Sequence, residues 1–226
     1  MVMAFSCNDL KRRSGIPVIV ASVIPDMKNM HKLSDDAIRY GFIPELRFDL
    51  SNMDISSINK YVQNLEKKEV NAIFTFRSDS VSQINEMYSE ASNYENILLD
   101  IEVKNYPDIS FPLRGEKLIL SSHYEKSFDT MKMYSKISKF ECGAIKLACR
   151  CAMKDAVENM FQIERVRDER PVSFTPMGSD TSTRISSAIS LSDFAYTYYE
   201  REIAPGQPYY KDMLDIMKIL SKYVKN

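Results

Sequence analysis

GAIKLACR, residues 143–150, places one lysine, Lys146, inside a short apolar run bounded by Gly143 and Arg150. Such a run reads as a buried strand with the lysine near its C-terminal end. Burial lowers an ammonium pKa, because the charged form loses its hydration. A neutral amine can attack a carbonyl and form a Schiff base. The same lysine could instead snorkel its head group past the strand end. The rest of the chain decides between the two.

Seven further runs share this apolar, β-branched or aromatic character: IPVIVASVI (16–24), PELRFDL (44–50), NAIFTFR (71–77), NILLDIEV (96–103), KLILSSHY (117–124), RPVSFTPMG (170–178) and SDFAYTYY (192–199). Successive runs start about 25 residues apart, the repeat of a strand followed by a helix. Helical patterns lie between them. Ile55, Ile58, Val62 and Leu65 form one stripe, and Met213, Ile216, Met217, Leu220 and Val224 another in a segment 208–224 that Pro208 would start. Ser34, followed by Asp35 and Asp36, reads as a helix N-cap. The connection 104–116, with Pro107, Pro112 and Gly115, leaves room only for a short helix. Eight strands alternating with helices, with no low-complexity linker, predict a single domain over 1–226: a parallel (β/α)8 TIM barrel. An open doubly wound sheet is the alternative. It would ordinarily carry a glycine-rich phosphate loop, and the chain has six glycines and no such motif.

Composition narrows the function. At 44% hydrophobic the chain can build a full core, and a net charge of −1 gives no reason to expect nucleic acid or an anionic membrane as partner. No apolar run is long enough to span a bilayer. The four cysteines form no CxxC pair and no zinc-type spacing with histidine, so no metal site is expected and a reducing, cytoplasmic setting is.

The C-terminal strand ends of such a barrel face its active site. Those ends carry Ser22; Glu45, Arg47 and Asp49; Arg77; Asp100 and Glu102; His123; Lys146; and Met177. Glu45, Arg47 and Asp49 alternate with Leu46, Phe48 and Leu50, which turns all three charges to one side. They would point into the barrel and must pair with one another or with a ligand. A purely structural Glu45–Arg47 ion pair is one such arrangement. Tyr196, Tyr198 and Tyr199 read as strand and core packing.

The set in this order resembles the type I 3-dehydroquinate dehydratase family over residues 16 to about 224. The carrying motifs are ELRFD (45–49), FTFR ending at Arg77, DIE (100–102), SSHY (121–124), IKLA (145–148), PMG (176–178) followed by Arg184, and APGQ (204–207). The resemblance implies a barrel that dehydrates 3-dehydroquinate to 3-dehydroshikimate, in the shikimate route to aromatic amino acids, without metal or organic cofactor. It implies Lys146 as the Schiff-base nucleophile and His123 as general base and acid. Arg184 would bind the substrate carboxylate. Glu45, Arg47 and Arg77 would hold substrate hydroxyls, Gln207 would contact substrate from a closing loop, and Ser22 is a further binding candidate. A homodimer is also implied.

Three features depart from the family pattern, one of them the segment between Met177 and Arg184, which is one residue shorter than usual and lacks its glycine. Val81 stands where a glutamate orients the catalytic histidine, leaving Asp79, Glu102 and Glu125 as substitutes. Ile203 stands where a serine precedes APGQ. A Schiff-base aldolase on the same kind of barrel, and a diverged barrel that binds a shikimate-like acid without turnover, are the competing readings.

Overall fold

The computed structural model describes residues 5–124, 129–178 and 180–223. Each apolar run contains one strand: β1 Val18–Val23, β2 Ile43–Arg47, β3 Ala72–Thr75, β4 Ile97–Glu102, β5 Leu118–Tyr124, β6 Ala144–Arg150, β7 Val172–Met177 and β8 Phe194–Tyr198. All neighbouring strands pair in parallel, in the order β7-β6-β5-β4-β3-β2-β1-β8. The protein is an α/β barrel of the TIM type.

The described residues form seven α-helices: α1 Met30–Tyr40, α2 Ile55–Lys67, α3 Val81–Ala91, α4 Thr130–Ile137, α5 Met153–Val166, α6 Thr181–Ser190 and α7 Tyr210–Leu220. The β4–β5 connection has none and makes only two single 3-10 turns, as its prolines suggest. The Asp54 carboxylate accepts from Ser57 N at 2.8 Å to start α2, and the Asp180 carboxylate accepts from Thr183 N at 2.9 Å to start α6. The predicted N-cap at Ser34 is not one. α1 begins four residues earlier, and Ser34 Oγ donates to Met30 O at 2.8 Å inside the helix. Burial of Met30, Leu33 and Ala37 on one face outweighs the local capping signal. α7 turns Tyr210, Met213 and Met217 into the core, with Tyr209 rather than Pro208 at its N-cap; Val224 lies outside the described residues.

Strand alternation produces two cores. Side chains on one face, such as Leu46, Phe74, Leu99, Leu120 and Leu147, pack under the helices. Those on the other, including Val20, Ile73, Leu98, Ile119, Ala144 and Phe194, fill the barrel floor together with Phe5, Cys7 and Leu10 from the N-terminal segment. Gly143, which opens the lysine strand, is where that segment presses in. A Cβ there would lie 2.7 Å from Cys7 Cβ and 2.9 Å from Gly115 O.

The two end strands of the sheet, β7 and β8, are not paired by a ladder. One backbone bond, from Asp193 N to Val172 O (2.8 Å), and several side chains bind β7's backbone instead. Val172 N donates to Asp193 Oδ2 (2.9 Å), Phe174 N donates to Ser192 Oγ (3.0 Å), and Phe174 O accepts from Ser187 Oγ (2.7 Å). A buried strand edge needs such partners in place of a neighbouring strand.

Gly143→Ala should lower stability by about 1–3 kcal/mol, the usual cost of overpacking. Urea unfolding measures this directly. An unchanged midpoint would mean that the N-terminal segment does not pack against the barrel floor.

Candidate active site

The barrel interior above the apolar floor holds a connected set of charges. Lys146 Nζ, buried on β6, lies 3.0 Å from Glu45 Oε1 and 2.9 Å from Asp100 Oδ2. Both carboxylates are held by further groups. Glu45 accepts from Ser22 Oγ (2.5 Å) and Thr75 Oγ1 (3.2 Å). Asp100 Oδ1 accepts from Arg77 Nη2 at 2.7 Å, and Arg77 also donates to Asp100 O (3.0 Å) and Ser121 Oγ (2.9 Å). From the outer layer, the Tyr88 hydroxyl donates to Asp100 O at 2.5 Å. A fourth side of Nζ is covered by the ring of Tyr196, whose centroid is 3.7 Å away.

This pairing differs from the simplest sequence expectation. Glu45 does not pair with Arg47. β2 ends at Arg47 and the chain turns into a 3-10 helix over Phe48–Leu50. That turn brings Asp49 under Arg47, with Nε–Oδ1 2.9 Å and Nη2–Oδ2 2.7 Å. Glu45 is thereby left to face the lysine. The hydrogen-bond partners of the amine are the two carboxylates.

His123 lies two residues further along β5 than Ser121, which is opposite Lys146 in the β5–β6 register. Its Nδ1 is 2.7 Å from Glu102 Oε2, and its backbone N donates to Glu102 Oε1 at 3.0 Å. Of the three substitutes for the missing orienting glutamate, Glu102 is the one in contact. Asp79 lines the same cavity without a contact to the ring, and Glu125 lies outside the described residues. Val81 sits exposed at the start of α3.

An open cavity of about 560 Å³ spans this end of the barrel. Glu45, Arg47, Arg77, Glu102, His123 and Lys146 line it, with Met177 and Ala204 at its rim. Ser22 and Gln207 are one layer removed. Gln207 Nε2 donates to Ser22 Oγ at 3.3 Å, and its Oε1 accepts from the backbone N of Ile203 (3.0 Å) and Ala204 (2.9 Å), which folds the loop over the barrel end. Arg184 does not line the open cavity. It projects from α6 into a small internal space between β7 and β8, shared with Ser173 and Tyr196. Its Nε and Nη2 have no hydrogen-bond partner among the described residues. Burial lowers its pKa to about 10, and the attraction of Glu202 only partly offsets that.

Sequence reading missed Thr75, Ser121, Tyr88 and the contact made by Tyr196. Thr75 and Ser121 could have been found, since each alternates in step with a candidate site residue two places on, Arg77 and His123. Tyr88 carries no such signal, because it arrives from a helix.

A model of the family described as type I 3-dehydroquinase matches residues 16–224. The chain belongs to the type I 3-dehydroquinase family. Among curated relatives, 3-dehydroquinate dehydratase of Thermoplasma volcanium is 26% identical over 204 residues, covering 85% of each chain. That of Saccharolobus solfataricus is 28% identical over 223 residues, covering 91% of this chain and 95% of the relative. The type I 3-dehydroquinate dehydratase of Clostridium difficile, solved with covalently modified comenic acid, shares the fold at a TM-score of 0.75 and 18% identity, over 92% of this chain and 94% of that one. An HpcH/HpaI aldolase from Desulfitobacterium hafniense is more distant, with a TM-score of 0.54 and 7% identity over 94% of each chain.

In this family member the carboxylates of the cluster are held ionised. Burial alone would raise the pKa of Asp100, but Arg77 and then Lys146 outweigh it and hold the group far below the usual carboxylate range. Glu45 is lowered by Lys146 and Arg47 against the same burial penalty, and Glu102 by its hydrogen bond to His123. A carboxylate depressed on folding stabilises the native state above its unfolded pKa of about 4, and that contribution is lost as pH falls through the folded value. Thermal stability should therefore fall on acidification below about pH 4. Asp100→Asn should cost about 3–5 kcal/mol near neutrality, since it leaves Arg77 and Lys146 without their shared anion. A wild-type urea midpoint in that variant would show that the cluster is not needed to hold the charges.

Proposed function

We propose that the protein dehydrates 3-dehydroquinate to 3-dehydroshikimate through a Schiff base on Lys146, with His123 as general base and acid. The observation that carries this reading is one buried lysine and one carboxylate-held histidine lining a single open cavity. A cavity rich in both cations and carboxylates suits a polyhydroxylated ring acid, whose hydroxyls both donate and accept.

The steps follow from the groups present. Lys146 Nζ gives up a proton, attacks the ketone carbon and, with loss of water, forms an iminium. The iminium draws electrons and acidifies the adjacent C–H. With Nδ1–H donated to Glu102, the Nε2 lone pair of His123 is free to take that proton. The electron pair left on carbon expels the hydroxyl one carbon further on, which leaves as water with the proton His123 returns. Water then hydrolyses the imine and frees both product and lysine. Arg47 and Arg77 hold hydroxyls and set the local field. Arg184, a buried guanidinium whose Nε and Nη2 have no partner among the described residues, is the anchor for the substrate carboxylate once it turns from the space between β7 and β8 into the cavity. Glu45 and Ser22 hold the lysine and the loop glutamine, and Gln207 turns its amide to substrate as that loop moves.

Borohydride reduction with 3-dehydroquinate, read by intact and peptide mass spectrometry, tests the reading. A stable adduct on Lys146 is expected, and Lys146→Ala should show none and should not turn over. His123→Ala should still be trapped while turning over about 10²–10⁴-fold more slowly, the range for loss of general acid–base catalysis. Substrate binding without any adduct would favour a diverged binder, and normal turnover by Lys146→Ala would exclude the mechanism. Glu102→Gln should lower kcat by about tenfold or more through a misaligned His123 ring, with a smaller change in KM. An unaltered kcat would remove Glu102 from that role.

A further inference from the structure

We infer that Tyr196 is a catalytic residue of this site: its ring face stabilises positive charge on Lys146 Nζ, above all in the iminium. The inference rests on the Schiff-base reading above. Nζ lies 3.7 Å from the Tyr196 ring centroid. The surface cation–ring contacts of this protein are much longer, for example 5.7 Å for Lys32 over Tyr199 and 5.3 Å for Lys211 over Tyr40. The Tyr196 ring is also buried, so the attraction acts with little screening by water.

The phenol itself is not the active part. Its hydroxyl has no hydrogen-bond partner among the described residues, and burial, with Glu45 and Asp100 nearby, pushes its pKa far above the usual tyrosine value. It stays a neutral phenol and is poorly suited to pass protons. The ring is placed by β8, where Tyr196 pairs in register with Val20 and its ring packs 5.9 Å from that of Phe194.

The count of N–H donors explains why a ring is useful here. The ammonium has three, and two of them can serve Glu45 and Asp100. Attack on the ketone makes the new C–N bond. The carbonyl electron pair goes to oxygen, which takes a proton, and nitrogen sheds one, giving a neutral carbinolamine. The carbinolamine hydroxyl then leaves as water with an added proton while the nitrogen lone pair closes the C=N bond, and positive charge returns to nitrogen. That iminium keeps one N–H, so only one carboxylate can still be hydrogen-bonded. Attraction to the ring face needs no N–H and persists. Tyr196 therefore favours the iminium over the carbinolamine at the step where the carboxylates lose part of their hold.

The test replaces Tyr196 by Phe, by mono-, di- and trifluorinated phenylalanine, and by Leu. Each protein is mixed with saturating 3-dehydroquinate, and the borohydride-reducible fraction and kcat are measured beside the thermal midpoint. Tyr196→Phe should keep kcat within about threefold, because the hydroxyl is unpartnered, whereas Tyr196→Leu should lose about thirtyfold. The reducible fraction should fall stepwise with each fluorine, which withdraws charge from the ring face, while the midpoint holds. A role in packing alone would not produce that gradient. An adduct at the same level across the fluorinated series would overturn the role of Tyr196 and leave the Schiff base standing. No adduct in the wild-type protein would instead remove the Schiff base, and the inference with it.

Discussion

One buried ammonium sets the terms for this molecule. Lys146 sits inside the barrel with its nitrogen between Glu45 and Asp100, and neither carboxylate could lie there alone. Removing any of these charges from water costs several kcal/mol, which only close pairing offsets. The pairing needs four elements at once: β2 for Glu45, β4 for Asp100, β6 for Lys146, and the turn after β3 for Arg77. Ser22 and Thr75 then donate to the remaining lone pairs of Glu45, and Ser121 Oγ accepts from Arg77. The cluster is thus satisfied only when the sheet has closed far enough to bring β1 to β6 together.

The same constraint shapes the cavity. Below the cluster the interior is apolar, plugged by the N-terminal segment. Above it the strands open into a polar space with His123 at one wall. The lysine is therefore accessible from one side only. Its charge is compensated from below and beside, and its free direction is toward the cavity where His123 stands, held by Glu102. The unpaired junction of β7 and β8 leaves an opening in the wall, and Arg184 enters the interior through it from α6. A fully laddered barrel would have closed that path.

Much of this was legible in the chain. Strand alternation is a property of the backbone, so Glu45 with Arg47, and Asp100 with Glu102, announced themselves as inward-facing charges as soon as their apolar neighbours were counted. The repeat of eight runs gave the barrel, and the order of ELRFD, DIE, SSHY and IKLA along it gave the family. Lys146 and His123 stood out only within that ordered set, since a lysine in an apolar run can snorkel and a lone histidine can be structural.

What the chain could not show is which charge meets which. Pairing depends on barrel register and on where a strand stops. Arg47 turned to Asp49 because β2 ends two residues before the charge pattern does, and Glu45 was left for the lysine. Glu102 became the partner of His123 because β4 and β5 lie side by side in one register, a relation between residues 21 apart in sequence. Tyr196 looked like packing, and its place over the lysine nitrogen appears only when β8 closes beside β1. Local sequence determined the elements and the faces they present, since both follow from short-range sterics and alternation. Tertiary structure alone decided the contacts among those faces, since each depends on several strands being in place at the same time.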